Sequence, residues 1–208
     1  MSYICKVLLV FLMLVPINAA QAEIVLGFSN DGGASFSTEF EMGSGDISTF
    51  QLYLLDTTDN ADLRDHGLFS FGLIGALNDE AIGQVSNPMI APVFDDQDDA
   101  SFGNTIEWNA ALDDNFDNPP TGDTILLGSF DFTALAGGTS DFLFRDSSTT
   151  FEDWVTINAE VLDDEIFGAR PEHGFSVTVT SVPEPGSLIL SLLGTGAFAL
   201  RRNRHLVL

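Results

Sequence analysis

Asp113, Asn115 and Asp117 place oxygen-bearing side chains at alternate positions of one acidic run, Asp113-Asp114-Asn115-Phe116-Asp117-Asn118. Hard cations such as calcium take oxygen ligands, and this spacing matches positions 1, 3 and 5 of a calcium loop. Two positions depart from that pattern. Asn118 stands where the loop needs a glycine, and Thr124 where it needs a bidentate carboxylate. What remains is a looser calcium site, shared with Asp95, Asp96, Asp98 or Asp99, or else a solvated acidic loop. Asp56, Asp59, Asn60 and Asp62 form a similar cluster, as do Asp163, Asp164 and Glu165, with no greater specificity. The sequence calls for no other cofactor.

Catalytic constellations are harder to find. His66 and His173 each lie beside a glycine and outside any metal motif, and Gly-x-Ser-x-Gly is absent. A pair of carboxylates for glycoside hydrolysis needs only spatial proximity, so no particular pair is marked in the chain. Trp108, Trp154 and Tyr53 could stack on sugar rings or fill a core.

The elements that would position these groups read as strands. Ser35 to Met42 alternates, with Phe36, Phe40 and Met42 on one face. Phe50 to Leu55 and Leu68 to Ile74 are denser apolar runs, as expected of strands covered on both sides. Further strands are expected at Ile106–Trp108, Ile125–Phe132, Phe142–Phe144, Trp154–Val161 and Phe175–Val179. Gly128 marks a bulge or a close approach within its strand. Turn clusters such as Asn30-Asp31-Gly32-Gly33 and Gly43-Ser44-Gly45-Asp46 separate the runs. Residues 76 to 104 read as a long loop. The pattern predicts an all-β fold, an antiparallel β-sandwich of about 8–9 strands.

Composition narrows the partners. Between Glu23 and Val182 the chain carries 30 acidic residues against Arg64, Arg145 and Arg170, a net charge of −27, and no lysine. Nucleic acid is excluded as a partner, because phosphate neutralisation needs Lys and Arg. Anionic lipid surfaces are unfavourable for the same reason. Cys5 is the sole cysteine, so residues beyond the leader have no thiol for a disulfide, a zinc site or a nucleophile.

The two ends carry targeting information. Lys6, the apolar run Val7–Val15 and the small residues Ala20 and Ala22 form a secretory signal peptide over residues 1–22, with signal peptidase cutting after Ala22. At the other end, residues 186–200 hold no charge. As a helix they span about 22 Å, short of the roughly 30 Å hydrocarbon core, so the predicted insertion is marginal and transient. Arg201, Arg202 and Arg204 follow, which places the tail in the cytoplasm and residues 23–181 outside.

Val182-Pro183-Glu184-Pro185, an apolar helix and an arginine cluster together resemble the PEP-CTERM sorting signal, over residues 182–208. The resemblance implies recognition by an exosortase, a membrane-embedded transpeptidase-like enzyme of exopolysaccharide-producing bacteria, with processing near Pro183-Glu184-Pro185. Two prolines one residue apart also forbid helix and ladder pairing, leaving an extended segment. A plain tail anchor with a proline hinge would share that geometry. Within the body, Gln51 to Thr58 followed by Gly67 to Gly72 is similar to cohesin-like sandwich ectodomains.

The expected function is an exported, exosortase-sorted surface or matrix protein. It passes through the periplasm to the cell surface and acts as a non-catalytic structural or binding component of the exopolysaccharide or biofilm layer. Exopolysaccharide or other matrix proteins are the expected partners. A calcium-dependent protein-binding module and a secreted polysaccharide-acting enzyme are the alternatives.

Overall fold

The computed structural model describes residues 24–57, 61–96, 102–112, 119–147, 153–168 and 170–181. Residues 1–22, where a signal peptide is expected, lie outside those residues, as do Val182 to Leu208, Asp113, Asn115, Asp117, Asp59, Asn60, Asp98 and Asp99.

In chain order the elements are β1 (Ile24–Ser29), β2 (Glu39–Gly43), β3 (Ile47–Asp56), α1 (Ala61–Asp65), β4 (Leu68–Leu77), β5 (Gly83–Ile90) and β6 (Phe94–Asp96). They continue with β7 (Thr105–Leu112), β8 (Thr124–Ala134), β9 (Gly138–Asp146), β10 (Val155–Thr156), α2 (Asp163–Ile166) and β11 (His173–Thr180). One sheet has the order β1-β3-β8-β5; the other runs β2-β11-β9-β4-β7-β6, with β10 attached to β4. Among the described residues the ladders are antiparallel except β2 with β11, which pair in parallel from Glu39↔Ser176 to Gly43↔Thr180. The chain crosses between sheets through residues 30–38. Asp31 pins that crossing by accepting from the Ser29 and Ser35 hydroxyls at 2.7 and 2.6 Å. Those hydroxyls hold its carboxyl down at about 2.

Period-2 alternation produces the core. β7 buries Ile106, Trp108, Ala110 and Leu112, and β11 buries Phe175, Val177 and Val179. Phenylalanines from both sheets meet in the middle. The Phe175 ring lies 4.8 Å from Phe50 and 5.0 Å from Phe28, and Phe130 stacks on Phe142 at 5.1 Å. A second aromatic group, Phe71, Phe94, Trp154 and Phe167, fills the end near β10 and α2.

Gly128 shows both features its position suggested. The β3–β8 register shifts between Leu52 and Tyr53, where Leu52 faces Gly128 but Tyr53 faces Leu126. A Cβ on Gly128 would also lie 2.5 Å from the Met89 carbonyl oxygen and 2.6 Å from the Trp108 ring.

Two expectations need correcting. Residues 76 to 104 are not one long loop but hold β5 and β6. β5 is an edge strand that buries little beyond Gly83 and Val85, so it lacks an apolar stripe. A bulge between Ser86 and Met89, with Asn87 at φ 51°, also interrupts its period, and Pro88 is tolerated because the strand is an edge. Trp154 to Val161 is likewise no continuous strand. β10 spans two residues, and the chain turns at Ala159 (φ 64°) so that Val161 bridges back to Val155.

Candidate functional site

The β4 edge is shared by two segments. β9 pairs along it from Leu77 back to Leu73, ending at Asp146, and β10 resumes on it at Ser70. The chain therefore leaves at Asp146 and returns just after Asp153, bringing two carboxylates distant in sequence to one place. Asp163, the first residue of α2, supplies a third: its carboxylate accepts from the backbone N–H groups of Asp153 (3.4 Å) and Trp154 (3.3 Å). Carboxylate oxygens of Asp146, Asp153 and Asp163 all lie within 4.8 Å of one another.

The frame around the trio is fixed by the backbone and by Gly72. Ser70 donates its hydroxyl to the Asp153 carbonyl at 2.9 Å, and the Trp154 indole N–H donates to the Gly72 carbonyl at 2.7 Å. A Cβ on Gly72 would sit 2.1 Å from Asp153 Oδ2 and 2.2 Å from Ser147 Oγ. Glycine here is thus a condition for the carboxylate to approach the strand at all.

Asp153 is the unusual member. Its Oδ1 is enclosed without a hydrogen-bond partner, while Oδ2 lies 2.5 Å from Ser147 Oγ. The same hydroxyl lies 2.9 Å from Asn109 Oδ1. Partial burial, reinforced by Asp146 and Asp163, pushes the Asp153 carboxyl up to about 7, with the Ser147 hydroxyl opposing. Ser147 has a single hydroxyl proton, which it donates either to Asp153 Oδ2 or to Asn109 Oδ1. Three close carboxylates can hold a proton at neutral pH, or offer hard oxygen ligands to a calcium-like cation.

The sequence-derived candidates fall elsewhere. Asp113, Asn115 and Asp117 lie outside the described residues, as do Ala20 and Ala22, Val182 to Pro185 and the three tail arginines. Asp163 had been noted for its acidic neighbours, whereas Asp146 and Asp153 carried no local signal. Trp108 and Trp154 are fully buried and Tyr53 is 8% exposed, so they form core and no sugar-stacking platform. His173 is buried with Nε2 2.7 Å from the Ile166 carbonyl oxygen, and His66 is exposed in the turn before β4. A shallow groove crosses β2, β11 and β9 between Glu39 and Asp141, with Asp141 tied to the Ser176 hydroxyl at 2.5 Å.

Residues 181–204 match the PEP-CTERM protein-sorting motif. The motif indicates export and membrane-associated sorting by an exosortase. Among the described residues no helix is long and apolar enough to cross a membrane. No curated protein matches the sequence. Among solved structures, a chain of a type I cohesin–dockerin complex from Clostridium thermocellum superposes with a TM-score of 0.51 at 11% identity, over 76% of this chain and 98% of that one. A cohesin module from a Clostridium perfringens family 33 glycoside hydrolase gives 0.47 at 4% identity, over 77% and 99%. The chain has a β-sandwich fold similar to that of a cohesin module, and its PEP-CTERM protein-sorting motif begins directly after β11.

Proposed function

We propose that the sandwich is a non-catalytic binding component of the exopolysaccharide layer, delivered to the cell surface by the sorting motif. The observation that carries this reading is the outer face of the wider sheet, where Leu143 and Ala76 are exposed and Glu39, Asp141 and Glu107 stand around them. Arg145, exposed beside Leu143 on the same face, adds a positive group among these acids, and such an open face of mixed charge suits a partner surface better than a buried substrate. The Clostridium thermocellum structure is itself a complex with a dockerin, which supports a protein partner of the matrix. Affinity electrophoresis of the processed surface protein against the producer's own matrix fraction tests this. Retarded migration, reduced by Leu143→Asp, is expected, and mobility unchanged by any matrix component overturns it.

A second reading, calcium dependence, is favoured by the Asp146–Asp153–Asp163 trio. A body charge of −27 repels an anionic polymer, and a bound divalent cation would lessen that repulsion. Calorimetric titration at pH 8 should show calcium-binding heat that Asp146→Asn abolishes together with a chelator-sensitive rise in melting temperature. A flat titration with identical melts removes the reading.

A further inference from the structure

The sorting motif begins at residue 181, and β11 ends at Thr180. β11 is not a peelable edge: it is paired to β2 on one side and β9 on the other. Its last pairs are Thr180 with Gly43 and Val179 with Gly138. The exit itself is clamped by two turns. Ser44 N–H donates to the Thr180 carbonyl at 3.0 Å, and Gly137 is packed so tightly that a Cβ on it would lie 3.0 Å from Ser181 Cβ. The two turns are also locked to each other: Gly45 N–H donates to the Ala134 carbonyl, Ala134 N–H to the Asp46 carbonyl, and the Ser44 hydroxyl to the Leu135 carbonyl.

This geometry sets a short leash. From Thr180 to Pro183 the chain can reach at most about 11 Å, whatever its conformation. An enzyme acting at Pro183-Glu184-Pro185 therefore meets the rim formed by residues 43–47 and 134–138, because lengthening the leash would mean breaking a central strand. That rim differs from the rest of the acidic body. It displays Ile47, 68% exposed, and Leu135, 46% exposed. Its one carboxylate, Asp46, is turned back to accept from Gly43 N–H at 2.8 Å.

We infer that this rim is a docking surface for the membrane-embedded enzyme that processes the tail, with Ile47 and Leu135 as its apolar contacts. An anionic lipid surface is the poorer occupant, because a body of net charge −27 is repelled from it. The inference rests on the sorting motif and is independent of what the sandwich binds afterwards.

The full chain expressed in its exosortase-bearing host provides the test, read as the processed fraction by intact mass. Ile47→Ser with Leu135→Ser should lower that fraction at least several-fold while the melting temperature stays unchanged. Met89→Ser, an equally exposed apolar site on β5, should leave processing as it was. A 12-residue Gly/Ser insertion between Ser181 and Val182 should also lower processing, because it separates rim from motif. Wild-type processing in the double variant overturns the inference. So does faster processing with the insertion, which would mean that the rim only obstructs the enzyme.

Discussion

Replacing Phe175 with alanine should cost about 3–5 kcal/mol of folding stability, the range for truncating a fully packed phenylalanine. Phe175 is 2% exposed and belongs to β11, yet its ring touches rings from five other strands. Phe28, Phe40, Phe50, Phe142 and Phe130 lie at 5.0, 5.4, 4.8, 5.8 and 6.4 Å from it. Two of these strands belong to its own sheet and three to the other, so the ring is a stitch between layers. Collapse of the cavity is resisted because the neighbours are flat rings already stacked on one another. At roughly 2–4 °C per kcal/mol for a domain of this size, the melting temperature should fall by about 10–15 °C. Phe175→Leu retains most of the volume and should cost under about 1.5 kcal/mol. Urea unfolding monitored by tryptophan fluorescence measures both, with the midpoint moving and the slope unchanged. A loss below about 1 kcal/mol for the alanine variant would show that the ring cluster does not join the sheets.

The parts legible in sequence were those written in a local code. Phe40 and Met42, or Phe175, Val177 and Val179, alternate because a strand covered on one face must do so, and both sets are buried, whereas Phe36, read onto the same face as Phe40, precedes β2 and is 40% exposed. Gly128 was legible because a glycine amid large apolar residues needs a reason. The sorting motif was the clearest of all, being a linear signal that does not depend on the fold. β5 was hidden because an edge strand with two buried residues and a bulge has no period to detect. The carboxylate trio was hidden for a different reason. Asp146 and Asp153 meet only because β9 and β10 take turns on one edge of β4, and no spacing in the chain encodes that shared edge. Gly72 held the one available hint, since it interrupts the dense run Leu68 to Ile74 at an outward position that a side chain would block.

The trio also makes stability depend on pH in a defined direction. Below about pH 4 the Asp153 carboxyl is protonated in the folded and the unfolded chain alike. Between about 4 and 7 the folded chain still holds the proton that the unfolded chain has released, because its carboxyl is raised from 3.8 to about 7. Folding is therefore favoured at the acid side of this window, and its contribution is lost as pH rises through about 7. The full shift would be worth roughly 4 kcal/mol, but Asp153 is only partly buried, and solvent screening brings this to about 1–2 kcal/mol. Asp153→Asn keeps the shape and an oxygen that can accept from Ser147, and removes the charge. It should be more stable than the wild type by about 1–2 kcal/mol at pH 8 and about equal to it at pH 4. General repulsion among 30 acids tilts both curves the same way, so the informative quantity is the difference between variant and wild type. Asp163→Asn provides the contrast: its carboxylate caps the N–H groups of Asp153 and Trp154, so the variant should gain less than Asp153→Asn, or lose stability. Urea midpoints at half-unit pH steps give the comparison. Parallel curves for the Asp153→Asn protein and the wild type would mean that the three carboxylates share no strain, and the same strain is what a bound calcium would relieve.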